Sequence, residues 1–191
     1  MDHLKVLMTM SLLSLLSACR SSHAPLTTAP SVDLAKFMGD WFVIANIPTS
    51  IERGAHNAVE SYRLAADASI ATTFMFRDGA FDGELKRYCP RGFVRDTSSN
   101  AIWGMQFLWP IEADYRIVYV SPDYQRTIIG REKRDNVWVM ARTPALGDAE
   151  LQELRERVAK EGYDMAKYAL VPQQWPEPAS AAPRSVEKEC S

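Results

Sequence analysis

Three features predict an all-β fold, an eight-stranded antiparallel up-and-down barrel with one C-terminal α-helix packed on its outside. Apolar and polar residues alternate with period two from Trp41 to Ala141. Turn residues separate the runs at a spacing of roughly 10–15 residues with no helix between them, which argues against βαβ units. One amphipathic stretch follows Pro144. Eight or so short strands remove their edges by closing into a barrel.

The elements follow in order. Trp41–Ile47 is apolar at nearly every position and should be covered on both faces. Val59–Leu64 leads into Ala65-Ala66-Asp67, and Ile70–Phe76 stops at the turn pair Asp78-Gly79. Leu85–Tyr88, Gly92–Arg95 and Ala101–Leu108 come next, then Tyr115–Val120, Thr127–Arg131 and Val137–Ala141, the last two joined through Arg134-Asp135-Asn136. Asp148 is expected to cap a helix over 149–161 that Gly162 ends. Leu151, Leu154 and Val158 mark its inner face, with charged residues opposite.

Composition bounds the function. With 191 residues, 47% apolar and 24% charged, a single domain is the natural expectation. Lys plus Arg number 22 against 24 Asp plus Glu, a net charge of −2, which disfavours a nucleic-acid binder. Three cysteines are too few for a disulfide framework or a zinc ribbon. Of the histidines, His3 and His23 lie in the N-terminal segment, which leaves His56 with no partner at metal-ligand spacing. No nucleophile elbow or P-loop is present, so no catalytic residue, metal or cofactor is expected and the chain reads as a non-enzyme.

Lys5 followed by the apolar run 6–16 is a signal-peptide pattern, too short to span a bilayer comfortably. Its end, Leu16-Ser17-Ala18-Cys19, resembles the bacterial lipoprotein box, which implies cleavage before Cys19 and lipid attachment there. The absence of Asp at position 20 implies outer-membrane sorting, with the domain facing the periplasm. The expected organisation is a signal peptide over 1–18, a flexible tether over 19–31, a folded domain over 32–175 and a flexible tail over 176–191.

Three separated motifs and a loop carry a further resemblance. Gly39-x-Trp41 opens the first strand, Ser121-Pro122-Asp123-Tyr124 stands at a later turn, and Arg142 closes the last strand in Ala141-Arg142-Thr143-Pro144. With the run Ile51-Glu52-Arg53-Gly54, they make the stretch 32–175 resemble a bacterial lipoprotein lipocalin of the apolipoprotein D-like group. In that family Gly39, Trp41, Asp123, Tyr124 and Arg142 would be scaffold, with Trp41 closing one barrel end and Arg142 laid over its indole.

Alternation assigns the expected interior. It takes Val43 and Ala45 from the first strand, leaving Phe42 and Ile44 to meet the helix, then Glu60 and Tyr62, Phe74 and Phe76 from the next two. It takes Trp103, Met105 and Phe107, then Tyr115, Ile117 and Tyr119, and finally Trp138 and Met140. Such a lining either fills the barrel or encloses one apolar ligand. The resemblance implies the latter: a fatty acid, lysophospholipid or similar amphiphile, stored or transported in envelope maintenance or stress. Glu60 either meets a ligand head group or sits solvated near the rim; Arg87 and Tyr88 either contact an anionic head group or are plain surface. Cys89 and Cys190 either pair as a disulfide or leave Cys89 as a thiol for a lipid-modifying enzyme. Trp109 and Ile111, expected to be exposed at a loop, offer an apolar patch for a homodimer. A filled barrel would instead serve as an interaction module.

Overall fold

A computed structural model describes residues 24–181 and residue 190. A short helix α1 (Leu34–Phe37) precedes strand β1 (Gly39–Ile47), followed by β2 (Ala55–Leu64), β3 (Ile70–Asp78), β4 (Leu85–Tyr88) and β5 (Arg91–Val94). Then come β6 (Ile102–Leu108), β7 (Ile111–Val120), β8 (Arg126–Gly130) and β9 (Val137–Ala141), helix α2 (Asp148–Lys160) and a short β10 (Ala169–Leu170). From β1 to β9 each strand pairs antiparallel with the next, except that β4 and β5 both pair with β3, as two halves of one strand interrupted at Cys89-Pro90; β10 pairs with β1. Pairing of β1 with β9 closes the eight-stranded barrel.

Two bulges change which side chains face inward. The register of β1 against β9 shifts between Val43 and Ala45. Val43 therefore faces the interior, whereas Ala45, expected beside it, turns outward with Ile47 against α2. An extra residue in a strand reverses every later parity, and alternation alone cannot see it. The register of β7 against β8 shifts likewise between Ile117 and Tyr119. Tyr119, expected inside, packs on the outer face, with the Arg157 guanidinium 4.1 Å from its ring centroid.

Helix α2 buries Leu154 and Val158 against Ala45, Ile47, Ile128, Val137 and Val139. Its N-cap is Gly147, one residue before the expected Asp148, and Gly162 at φ 86° follows its end. Phe42 meets Trp175 rather than the helix, with ring centroids 5.4 Å apart. The backbone of Ile44 is occupied elsewhere: its carbonyl accepts the Val171 N–H, beside the pairing of β10 with β1.

The packed unit is wider than 32–175. Leu26 and Ala29 are buried, and the Ala29 N–H donates to the Ile117 carbonyl. Residues 24–32, expected to lie largely in a tether, pack on the barrel: Leu26 joins the outer cluster beneath α2, and Ala29 and Val32 join the core cluster of Phe37 and Trp41. On the C-terminal side, Glu177 forms an ion pair at 2.7 Å with Arg77, a wholly buried guanidinium on β3. Cys89 and Cys190 are joined by a disulfide, with Cα atoms 5.3 Å apart. The tail expected to be flexible over 176–191 therefore touches the barrel at 177 and at 190, while residues 182–189 lie outside the described part, as do the signal-peptide residues and Cys19.

Candidate functional site: a half-filled barrel

The barrel is solid at one end and hollow at the other. At the solid end, α1 is capped by Asp33, whose carboxylate accepts the N–H groups of Ala35 and Lys36. Phe37 from α1 meets Trp41, Tyr62 and Trp103 with ring centroids 5.1–5.7 Å apart. The Trp41 indole N–H donates to the Phe37 carbonyl at 2.8 Å, and the Arg142 guanidinium lies 3.7 Å above the Trp41 ring. Arg142 also donates to the carbonyls of Lys36, Phe37, Met38 and Asp40 at 2.7–3.1 Å, which closes the end of α1. Gly39 sits at φ 95°, and a Cβ there would stand 3.3 Å from Arg142. The Tyr124 hydroxyl accepts the Asp33 N–H, while Asp123 accepts the Ser121 hydroxyl. All five motif residues thus lie in or beside this plug.

Val43, Tyr62, Phe76, Trp103, Ile117 and Met140 face inward as the alternation predicts, but all are core. Five of them fill the lower barrel, while Phe76, nearer the open end of β3, packs on Phe74; none of the six lines the cavity. Above them opens a cavity of about 200 Å³, or about 760 Å³ when the open mouth is counted. Its apolar wall comes from Phe74, Met105, Ala113 and Trp138, with Tyr115 and Glu60 also in contact. Phe107, expected inside, lies at the rim and is 55% exposed. Tyr88 stacks on Phe74 and Phe76 and belongs to the wall.

Glu60 is buried and reaches the cavity. Its carboxylate accepts the Tyr62 hydroxyl, which also hydrogen-bonds the Tyr115 hydroxyl. Loss of hydration, with a lesser contribution from the Glu52 charge, raises the Glu60 pKa from 4.5 to about 8. Tyr115 is held well above its ordinary value by burial and then by Glu60. The group is therefore mostly neutral at pH 7, and the polar spot in the cavity is a hydrogen-bonding one rather than a fixed charge.

The sequence reasoning missed the loop that roofs the cavity. Thr49, Ser50, Ile51 and Glu52 line it, the last three in a 3-10 turn after β1. The Glu52 carboxylate accepts the Trp138 indole N–H at 3.1 Å and the Thr49 N–H at 3.0 Å, pinning loop to barrel. Burial raises its pKa against the lowering effect of these bonds. A Thr with Glu three residues on is the one local signal that could have exposed this turn. Thr72 was also missed, although it shares the parity of Phe74. At the rim, Asp114 accepts from Arg116 and from the Glu132 N–H, and Arg131 bonds Asp135 and Asn136, so these charges are engaged with neighbours.

A closed eight-stranded barrel, plugged by a Trp–Arg pair and open at the far end, now stands beside a family comparison. The lipocalin-like domain model matches residues 32–173. The chain belongs to the lipocalin family. This lipocalin is 24% identical over 161 residues to the outer membrane lipoprotein Blc of Escherichia coli (strain K12), covering 83% of this chain and 90% of that one. It is 26% identical over 154 residues to temperature-induced lipocalin-1 of Arabidopsis thaliana, covering 74% and 80% respectively. Among solved structures, insecticyanin from the tobacco hornworm Manduca sexta superposes with a TM-score of 0.62 at 13% identity, over 81% of this chain and 88% of that one. Lobster apocrustacyanin A1 does so with a TM-score of 0.60 at 9% identity, over 83% and 96%. At such identities the structural likeness speaks to the fold alone.

Proposed function

We propose that this lipocalin is an outer-membrane lipoprotein, anchored through acylated Cys19, that holds the hydrocarbon part of a small amphiphile in the upper barrel. A fatty acid or lysophospholipid is the class that fits, stored or carried during envelope maintenance, with the domain in the periplasm. The observation that carries this reading is the hollow upper half: a cavity of about 200 Å³ that widens into an open mouth, with apolar walls and one neutral polar spot. Burial of a tail there contributes roughly 25 cal/mol per Å² of apolar area, before ordering costs. The relatives named as outer membrane lipoproteins support the location.

The disulfide to Cys190 occupies the sulfur that an enzyme built on Cys89 would need. The open upper half likewise disfavours a filled barrel that acts only as a surface module.

Ala113 lies on the cavity wall and is half-buried, so Ala113→Trp places an indole in the space a tail would take. The expected result is at least a tenfold weaker affinity for a long-chain fatty acid in a fluorescence titration, with an unchanged urea midpoint. Equal affinity in variant and parent would overturn the pocket assignment. Intact mass of the membrane-extracted protein tests the anchor separately: a mass without acyl chains on Cys19 removes it.

A further inference from the structure

The open mouth carries an apolar tip that the pocket does not explain. At the β6–β7 hairpin, Leu108, Trp109 and Ile111 are 71%, 79% and 68% exposed. No charged side chain stands between Phe107 and Ile111. Ile51, also exposed, projects from the loop after β1 at the same end. Contiguous exposed apolar groups of this kind mark a contact surface.

The position of the N-terminal segment says what that surface meets. Strand β9 starts at the open end, where Val137 pairs with Ile47, so the β8–β9 connection lies at the mouth. Within that connection Arg134 donates to the Ala24 carbonyl at 2.7 Å, and Glu132 accepts the Leu26 N–H. The chain therefore leaves the barrel at Ala24 beside the mouth, and from there runs down the wall to Val32, whose N–H donates to the Ser99 carbonyl near the plugged end. Five residue steps separate Ala24 from Cys19, a reach of at most about 18 Å. An anchor on Cys19 would hold the open end, not the plugged end, against the lipid.

We propose that the mouth of the barrel docks on the bilayer, with Leu108, Trp109 and Ile111 seated in the interfacial layer. The tip then acts as the second membrane contact beside the acyl anchor, and a ligand passes between bilayer and cavity without crossing bulk water. Tryptophan with an apolar flank is suited to the headgroup boundary. The inference rests on the proposed anchor for its geometry, while the apolar tip is a separate observation.

The full acylated chain, reconstituted on phosphatidylethanolamine–phosphatidylglycerol vesicles with acyl chains brominated near the headgroup, tests it. Trp41 and Trp103 are fully buried, Trp138 is nearly so, and the half-buried Trp175 packs on Phe42 towards the plugged end, so Trp109 should dominate quenching by bromine. The expected result is quenching in the parent that falls at least threefold in Trp109→Phe. In Leu108→Ser/Trp109→Ser, transfer of a fluorescent fatty acid from vesicles should slow about tenfold, while its affinity in solution is unchanged. Flotation with vesicles without differential quenching overturns the docking and leaves the anchor standing. Quenching of a chain found to be unacylated supports the docking and removes the anchor; neither flotation nor quenching removes both. A dimer in detergent that Leu108→Ser/Trp109→Ser dissociates, with no quenching, assigns the tip to a second copy and overturns the proposal.

Discussion

Trp41→Ala is expected to lower the unfolding free energy by about 3–5 kcal/mol, the range for removing a fully buried large aromatic side chain. The indole is wholly buried in the core cluster and packs on the Phe37 ring with centroids 5.1 Å apart. Its loss also frees the Phe37 carbonyl from one donor and leaves Arg142 over an empty space. Arg142→Ala would remove the donor to four carbonyls around the end of α1 as well as the cation–π contact. The two contributions separate in a double-mutant cycle followed by urea unfolding. The coupling between Trp41 and Arg142 should be about 0.5–2 kcal/mol. Additive losses would mean that Arg142 acts only by closing the helix end. Because neither Trp41 nor Arg142 lines the cavity, ligand affinity of the folded Trp41→Ala protein should stay near that of the parent.

The same plug shows what was legible from the residues alone. The Gly39–Trp41 pair, Tyr124 and Arg142 come from three distant stretches of sequence and meet at one end, as the family resemblance implies. Facing was legible wherever pairing is regular: Glu60 with Tyr62, Phe74 with Phe76, Trp103 with Met105 and Trp138 with Met140 all point inward. It failed for Ala45 and Tyr119 because a bulge precedes each, and nothing in either run signals the extra residue. Height along the barrel axis was not legible either. Period two tells which face a side chain takes but not how deep it lies, so Val43, Ile117 and Met140 share the inward face with Met105 and Trp138 yet fill the solid half. Glu52 was hidden for another reason. Its burial comes from a loop folding over the mouth onto Trp138, a long-range contact without a local periodicity.

Glu60→Gln is expected to abolish the pH dependence that this carboxyl gives the parent. A carboxyl whose pKa is about 8 when folded and 4.5 when unfolded binds more proton in the folded state between those values. Its contribution is thus fully favourable below pH 4.5 and is lost as pH rises through 8. The slope within that window is at most about 1.4 kcal/mol per pH unit, so the parent should lose about 4–5 kcal/mol across it relative to Glu60→Gln. Glutamine keeps the shape and an acceptor for the Tyr62 hydroxyl and has no charge to bury, so its profile should be flat in this window once other groups are subtracted. Urea unfolding of both proteins at pH 5, 7 and 8.5 measures the difference; parallel profiles would show that Glu60 stays ionised in the fold. Binding should follow the same proton. The charged form draws water toward Phe74, Met105 and Trp138, where a tail would lie. For an uncharged long-chain alcohol, whose own protonation does not change, affinity in the parent should fall up to tenfold per pH unit above 8. In Glu60→Gln it should not move, which ties the loss to this carboxyl rather than to the rim pairs of Asp114 and Arg131.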